Sequence, residues 1–192
     1  MSNALIRNIE KLVALDAAAV DNILAVCKYK TIKKKDFFLQ EGEVQRSLVF
    51  VAEGCLRSYS IDENGFEHIL QFAPPGWWIG DMRSSLDQTP ASLNIDAVDE
   101  SEVVLIAMKD LEKLYDTVPM LDRFFRILSE RSLAAQQHRV IDALSLSAKE
   151  RYNNFCSQYP SLITCLPQKY VASYIGITPE FLSKMLKQPV KK

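Results

Sequence analysis

Between Pro119 and Ser145 the chain carries no Gly or Pro, and its apolar residues recur at helical spacing for about 25 residues. A helix of that length, roughly 38 Å at 1.5 Å per residue, splits the sequence into an amino-terminal part and a carboxy-terminal part. Its first turns (Met120, Leu121, Phe124, Phe125, Ile127, Leu128) are apolar on more than one face and need more than one neighbour. Further along, Ala134, Ala135, Val140, Ile141 and Leu144 leave a narrower stripe that suits a helix-helix seam. Before this helix the texture is different. Short β-branched and aromatic runs near 28–34, 47–52, 55–61, 66–72, 92–98 and 101–107 read as strands, with Gly42, Gly54, Gly65 and Gly76 between them. Glu63-Asn64-Gly65 predicts a hairpin, because Asn-Gly accepts positive φ at little steric cost. Leu93, Ile95 and Ala97 alternate with Ser92, Asn94 and Asp96, which places one face in a core and the other toward solvent or a pocket. Two short helices are expected within Leu5 to Cys27, with Asp16 capping the second.

With 192 residues, 48% of them hydrophobic and 24% charged, the chain is long enough for one large domain or two small ones around a real core. Charges interrupt every apolar run well short of a membrane span, so no membrane partner is expected. The amino terminus (MSNALIRNIEKL) has no basic leader followed by an apolar stretch, and a cytoplasmic location is expected. Cys27, Cys55, Cys156 and Cys165 are 28, 101 and 9 positions apart, which predicts reduced structural thiols and neither a zinc nor a redox site. The net charge of -1 hides an asymmetry: residues 1–144 carry 16 Lys+Arg against 22 Asp+Glu, residues 145–192 carry 7 against 2. An acidic body with a basic tail fits a nucleic-acid-binding module attached to a sensor.

The tail has a matching pattern. Ser147-Ala148-Lys149-Glu150 is a capping box that starts a helix running toward Tyr159. In PQKYVASYIGITPEFLSKMLKQPVKK, Gln168 to Tyr174 form a short helix with Val171, Ala172 and Ile175 inward; Gly176 breaks it; Thr178-Pro179 opens a second helix. Ala172 is small enough for the second helix to approach, and Ile177, Leu182 and Leu186 or Met185 supply its apolar face. In a helix-turn-helix the second helix enters the major groove of double-stranded DNA. The positions expected to face DNA are Gln168, Lys169, Thr178, Pro179, Glu180, Ser183, Lys184 and Lys187.

Taken in order, LVFVAEGCLRSYSIDENG, PPGWWIGD and LPQKYVASYIGITPEFLSKML resemble the Crp/Fnr family of transcription regulators over essentially the whole chain. The resemblance implies an α+β fold: a double-stranded β-helix (a β-roll or jelly-roll like that of cyclic-nucleotide-binding domains) over 1–117, a long dimerisation helix over 118–144, and a helix-turn-helix over 145–192. It implies a homodimer on a near-palindromic operator, with a small-molecule effector and RNA polymerase as further partners. The expected seam runs through Phe124, Ile127, Ala134 and Ile141. The effector loop corresponds to Gly80, Asp81, Met82, Arg83, Ser84, Ser85 and Ser92.

Three departures shape these expectations. Ala91 stands where cyclic-AMP-binding relatives carry an Arg for the cyclic phosphate, with Arg83 as the one nearby substitute, so an effector other than cyclic AMP is expected. Cys27 and Cys55 do not resemble the clustered cysteines of iron-sulfur members, and no cofactor is expected. After the reading helix only Gln188-Pro189-Val190-Lys191-Lys192 remain, so a downstream β-wing has no place in this sequence. A metal enzyme of the cupin type would need about three His and a carboxylate, whereas the chain has only His68 and His138. No catalytic residues or metal ligands are therefore assigned, and the remaining alternative is a sensor that acts through protein contact. The Trp77-Trp78 pair could serve such a surface or a ligand pocket, although Trp more commonly packs.

Overall fold

A computed structural model describes residues 1–164 and 166–187. Two helices open the chain, α1 (Ser2–Glu10) and α2 (Ala17–Val26), and Asp16 caps the second by accepting from the Ala19 amide. Six strands come next: β1 (Cys27–Ile32), β2 (Phe37–Leu39), β3 (Ser47–Ile61), β4 (Glu67–Ala73), β5 (Trp78–Ile79) and β6 (Asn94–Ala107), with a short α3 (Met82–Asp87) between the last two. They form one antiparallel sheet in the order β1-β6-β3-β4; β2 adds to β6 and β5 to β3. The chain continues through α4 (Met108–Thr117), α5 (Met120–Ser145), α6 (Ala148–Gln158), α7 (Gln168–Ile175) and α8 (Pro179–Lys187).

The strand expectations need one correction. Residues 47–52 and 55–61 are a single strand, as are most of 92–98 and 101–107. Gly54 is thus not a turn between strands but a bulge inside β3, with φ +82° and shifts of register on both sides. A Cβ there would lie 2.4 Å from the Glu100 carbonyl oxygen and the Ser101 hydroxyl, so only glycine lets the two long strands cross at that point. The hairpin at Glu63-Asn64-Gly65 is present. The Asp62 carboxylate accepts from the Asn64 and Phe66 amides and bonds His68, whose contact foremost holds it below the usual carboxylate range.

Folding the long strands over one another encloses an interior of Ile32, Leu39, Val49, Val51, Leu56, Ile79, Ile95, Ala97 and Val103. Alternation along β3 sends Phe50 and Ala52 to the outer face, where Leu5, Ile9, Ile23, Leu111, Leu114, Leu121 and Phe124 cover them. Trp78 belongs to this layer, stacked against Phe50, Phe124 and Phe125 and donating to Asn8, while Trp77 packs on Tyr159. Both tryptophans are packing residues. Of the two alternatives for the Asn94 and Asp96 face, solvent or a pocket, solvent does not hold, since both are buried.

Cys27 and Cys156 are free thiols, Cys55 is buried, and Cys165 lies outside the described residues. Burial pushes the Cys27 thiol up to about 11, and it donates to the Ile23 carbonyl. The reactive species is the thiolate. Cys27 is therefore expected to resist iodoacetamide at pH 8 in the folded protein and to alkylate at once in denaturant, as peptide mass mapping would read.

Candidate effector pocket and nucleic-acid interface

The residues expected to hold an effector do come together, but around an internal partner. Asp81, which is buried, caps α3: its Oδ1 accepts from the Ser84 amide at 3.0 Å, and its backbone carbonyl accepts from Ser85. Its Oδ2 accepts from the Ser92 amide at 2.9 Å and from the Ser92 hydroxyl at 3.3 Å. The Ser84 amide and the Ser92 amide and hydroxyl already hold a carboxylate. Gln45 closes the loop from the other side, its Oε1 accepting from the Asp81 amide and its own amide donating to the Ser84 hydroxyl. At Gly80 a Cβ would lie 2.4 Å from Gln45 Nε2, so a larger residue there would displace the Gln45 amide. Ala91 is buried with no charge to offer, Ser85 bonds the Met82 carbonyl, and Met82 and Arg83 point outward, exposed.

In the tail, the helix-turn-helix forms as the caps dictate. Gly176 takes φ +73°, and the amides of Gly176 and Ile177 close on the carbonyls of Ser173 and Ala172. Thr178 then caps α8 by accepting from the Phe181 amide at 3.2 Å. Val171, Ala172, Ile175 and Leu182 are buried between the two helices, Ile177 and Met185 pack on them, and Leu186 is exposed. Thr178, Pro179, Glu180, Lys184 and Lys187 are exposed along the outer face of α8, with Ser183 half-buried; Gln168 and Lys169 are exposed at the start of α7. Residues 188–192 lie outside the described residues.

What sequence reasoning misses is the contact between tail and roll. Cys55, Tyr59, Ile69, Phe72 and Val98 on the outer face of the roll share one core with Phe155, Tyr159, Leu162, Leu166 and the buried face of α7. At its edge the buried Arg57 guanidinium bonds both oxygens of Asp96, at 2.7 and 2.8 Å, and also Glu67. Burial alone would lower its proton affinity, but those two carboxylates raise it above the ordinary arginine value. Tyr59 and Tyr170 of α7 sandwich the same guanidinium at 4.2 and 4.0 Å. The available signal is Arg57 itself, the one cation of β3, placed in the strand's buried stretch.

The edge of β4 is fastened in the same way. The Ser173 hydroxyl accepts from the Ile69 amide and donates to the Glu67 carbonyl. Arg139 of α5 donates to the carbonyls of Ile69, Leu70 and Tyr174 and stacks on the Tyr174 ring. Beneath Arg139 a cleft of about 450 Å³ opens between α5, α6, α7 and β4, lined among others by His68, His138, Asp142 and Arg151.

The face that α5 turns to this cleft (Ala135, His138, Arg139, Asp142) lies opposite another. At about 100° per residue, Leu133, Val140 and Leu144 fall on the far side, 62%, 58% and 82% exposed. Ala134 and Ile141 sit on the shoulder of that stripe, beside the half-buried Ile127. Phe124 does not belong to it. Only 1% exposed, it is enclosed by Trp78, Phe125 and the core of its own chain.

Residues 29–118, from β1 through α4, match the cyclic nucleotide-binding domain family. The chain is 24% identical over 183 residues to the transcriptional activator protein anr of Pseudomonas aeruginosa, covering 88% of this chain and 72% of that one. It is 23% identical over 179 residues to the regulatory protein HlyX of Actinobacillus pleuropneumoniae, covering 87% and 72%. Over most of its length the chain is similar to Crp/Fnr-type transcriptional regulators. The likeness to Crp/Fnr regulators extends past the roll into α5 and the tail, and it includes their fold. The c-di-GMP-responsive global regulator CLP of Xanthomonas campestris superposes with a TM-score of 0.74 at 14% identity over 90% of each chain. FixK2 from Bradyrhizobium japonicum does so at 0.70 and 22% identity, over 85% of this chain and 84% of that one. No described helix is long and apolar enough to cross a membrane.

Proposed function

We propose that the chain is a dimeric, sequence-specific DNA-binding regulator of transcription whose roll answers to a small molecule other than cyclic AMP. The observation that carries this reading is the α7–Gly176–α8 unit, with its inner face buried on the roll and the polar and basic face of α8 free. A recognition helix presents such a face to base edges and phosphates. The relatives, transcriptional regulators by name, support the same reading. An isologous pairing through the Leu133, Val140, Ile141 and Leu144 stripe would set two reading helices about one DNA turn apart, roughly 34 Å, and demand a near-palindromic operator.

Selection from a random duplex pool and a subsequent salt titration test the reading. Lys169, Lys184 and Lys187 supply about six phosphate contacts per dimer, for a log-log salt slope near -5. Lys184→Ala is expected to weaken all sequences alike and flatten that slope by about 2, while Glu180→Ala or Ser183→Ala changes base preference. Failure of the full chain to retain any duplex at low salt would instead favour a sensor acting through protein contact.

The effector part rests on Asp81. Its carboxylate fills the amide and hydroxyl of Ser92, and Ala91 adds no cation to offset the repulsion an incoming phosphate would meet. A charge-assisted Arg-phosphate contact contributes ~1.5–3 kcal/mol, a ten- to hundredfold factor in affinity. Calorimetry is expected to show no heat with cyclic AMP up to the millimolar range. A dissociation constant at or below tens of micromolar, abolished by Arg83→Ala, would overturn this.

A further inference from the structure

Two guanidinium groups meet at the end of α7, and neither has a carboxylate. Arg139 donates to the carbonyls of Ile69, Leu70 and Tyr174. Arg151 donates through Nε to the Ile175 carbonyl and through Nη1 to the Leu146 carbonyl, both at 2.8 Å. Among the described residues no ion pair closes on either. Carbonyls satisfy the donors and leave the charges uncompensated. Both side chains are half-buried, where water screens less, so together they attract an anion.

The cleft beneath them has the size that small organic ligands use, about 450 Å³ within the usual range of roughly 300–1,000 Å³. Its walls are mainly apolar: Ile69 and Leu70 of β4, Phe155 of α6, Ile175 of α7, and the methyl groups of Ala135 and Ala143 on α5. One carboxylate lines it, Asp142, which accepts from the Asn154 side-chain amide at 2.8 Å. The His138 ring lines it too, and among the described residues no hydrogen bond or ion pair engages that ring. Two fixed cations thus face one anion over an apolar floor. The cleft also lies on the side of α5 away from Val140 and Leu144, so pairing through that stripe leaves it open.

Resting on the reading above of a DNA-binding regulator that answers to a small molecule, we propose that this cleft is the effector site and takes an organic monocarboxylate with an apolar body. The head meets Arg139 and Arg151; the body lies on Ile69, Phe155 and Ile175. A carboxylate is a stronger acceptor than a carbonyl, so the head draws Arg139 away from the β4 and Tyr174 carbonyls. That unfastens α7 from the edge of the roll. The reading helix follows through the Gly176 turn, and occupancy lowers operator affinity.

Calorimetry on the full chain with decanoate and with naphthoate is expected to give dissociation constants on the order of hundreds of micromolar or tighter. Acetate, which has the head alone, and decanol, which has the body alone, should give no binding at the same concentrations. Tighter binding of decanoate marks an acyl chain as the body and tighter binding of naphthoate an aromatic one; either supports the site. Arg139→Gln should weaken the better probe at least about tenfold, the size of a charge-assisted contact. Because Arg139 also fastens β4, a second variant is needed. Ala143→Phe fills the cleft, keeps every bond of Arg139 and Arg151, and should abolish probe binding at an unchanged thermal midpoint. Bound probe should lower operator affinity at least about fivefold in wild type and leave Ala143→Phe unaffected. Equal probe binding by wild type and both variants overturns the site, and so does bound probe with operator affinity unchanged or raised; the DNA reading survives both. No retention of the operator duplex by wild type without probe overturns the DNA reading, a failure seen in the duplex assay and not in the calorimetry.

Discussion

Arg57→Ala is expected to lower stability by about 3–5 kcal/mol, the range for removing one partner of a buried ion pair. The side chain is 4% exposed and Asp96 only 10%, so truncation strands a carboxylate that water cannot reach. Glu67, at 36%, keeps enough water to suffer less. For a chain of this size each kcal/mol moves the midpoint by about 2–4 °C, and calorimetry should record a fall on the order of 10 °C. Arg57→Lys should restore part of it, because an ammonium cannot grip two carboxylates in the bidentate way. Arg57→Met/Asp96→Leu, which deletes the charges together, should recover most of the loss. DNA affinity should fall alongside stability, because Tyr170 loses the cation it stacks on and α7 loses its seat. A midpoint lowered by less than about 2 °C would remove Arg57 from the account of how the tail is held.

Val140→Glu/Leu144→Glu is expected to turn a dimer into a monomer at tens of micromolar, as light scattering would read. Burying a Leu or Val side chain contributes about 1.5–3 kcal/mol, and the symmetry of the pair counts each substitution twice. Even after the cost of association, two carboxylates facing their own images should weaken the dimer more than a hundredfold. Operator affinity should drop by a similar factor, because half-sites would be read one at a time. Thermal stability of the single chain should hardly move, since both residues are more than half exposed within it. Phe124→Ala should behave in the opposite way, costing about 3–5 kcal/mol of stability without a comparable effect on association.

The contrast marks where sequence reasoning reaches and where it stops. The capping box at Ser147–Glu150, the Thr178 cap and the positive φ of Gly176 depend on neighbours within four residues, and the sequence carries them in full. Phe124 and Val140 look alike in a helical periodicity, yet Trp78 covers one and the other stays 58% exposed. Gly54 reads as a turn because its actual reason, the backbone at Glu100 and Ser101, lies some 46 residues away. The effector loop is legible as Gly80, Asp81 and Ser92, but a spacing of eleven does not say that the carboxylate closes on the Ser92 amide. Arg57 needs two carboxylates from β4 and β6 and a ring from α7, none of them local.

β4 is the outermost strand on its side of the sheet, and its free backbone groups at Glu67, Ile69 and Leu70 are taken by Ser173 and Arg139. An open strand edge is a template for pairing with another molecule. The helices after the roll therefore act as a guard rail against self-assembly, and a fragment stopped before Arg139 would present a bare edge beside the apolar patch of Ile69 and Phe72. Such a fragment should be sticky as well as unable to bind DNA, and any protease cut or premature stop in that stretch would convert a regulator into a seed for aggregation.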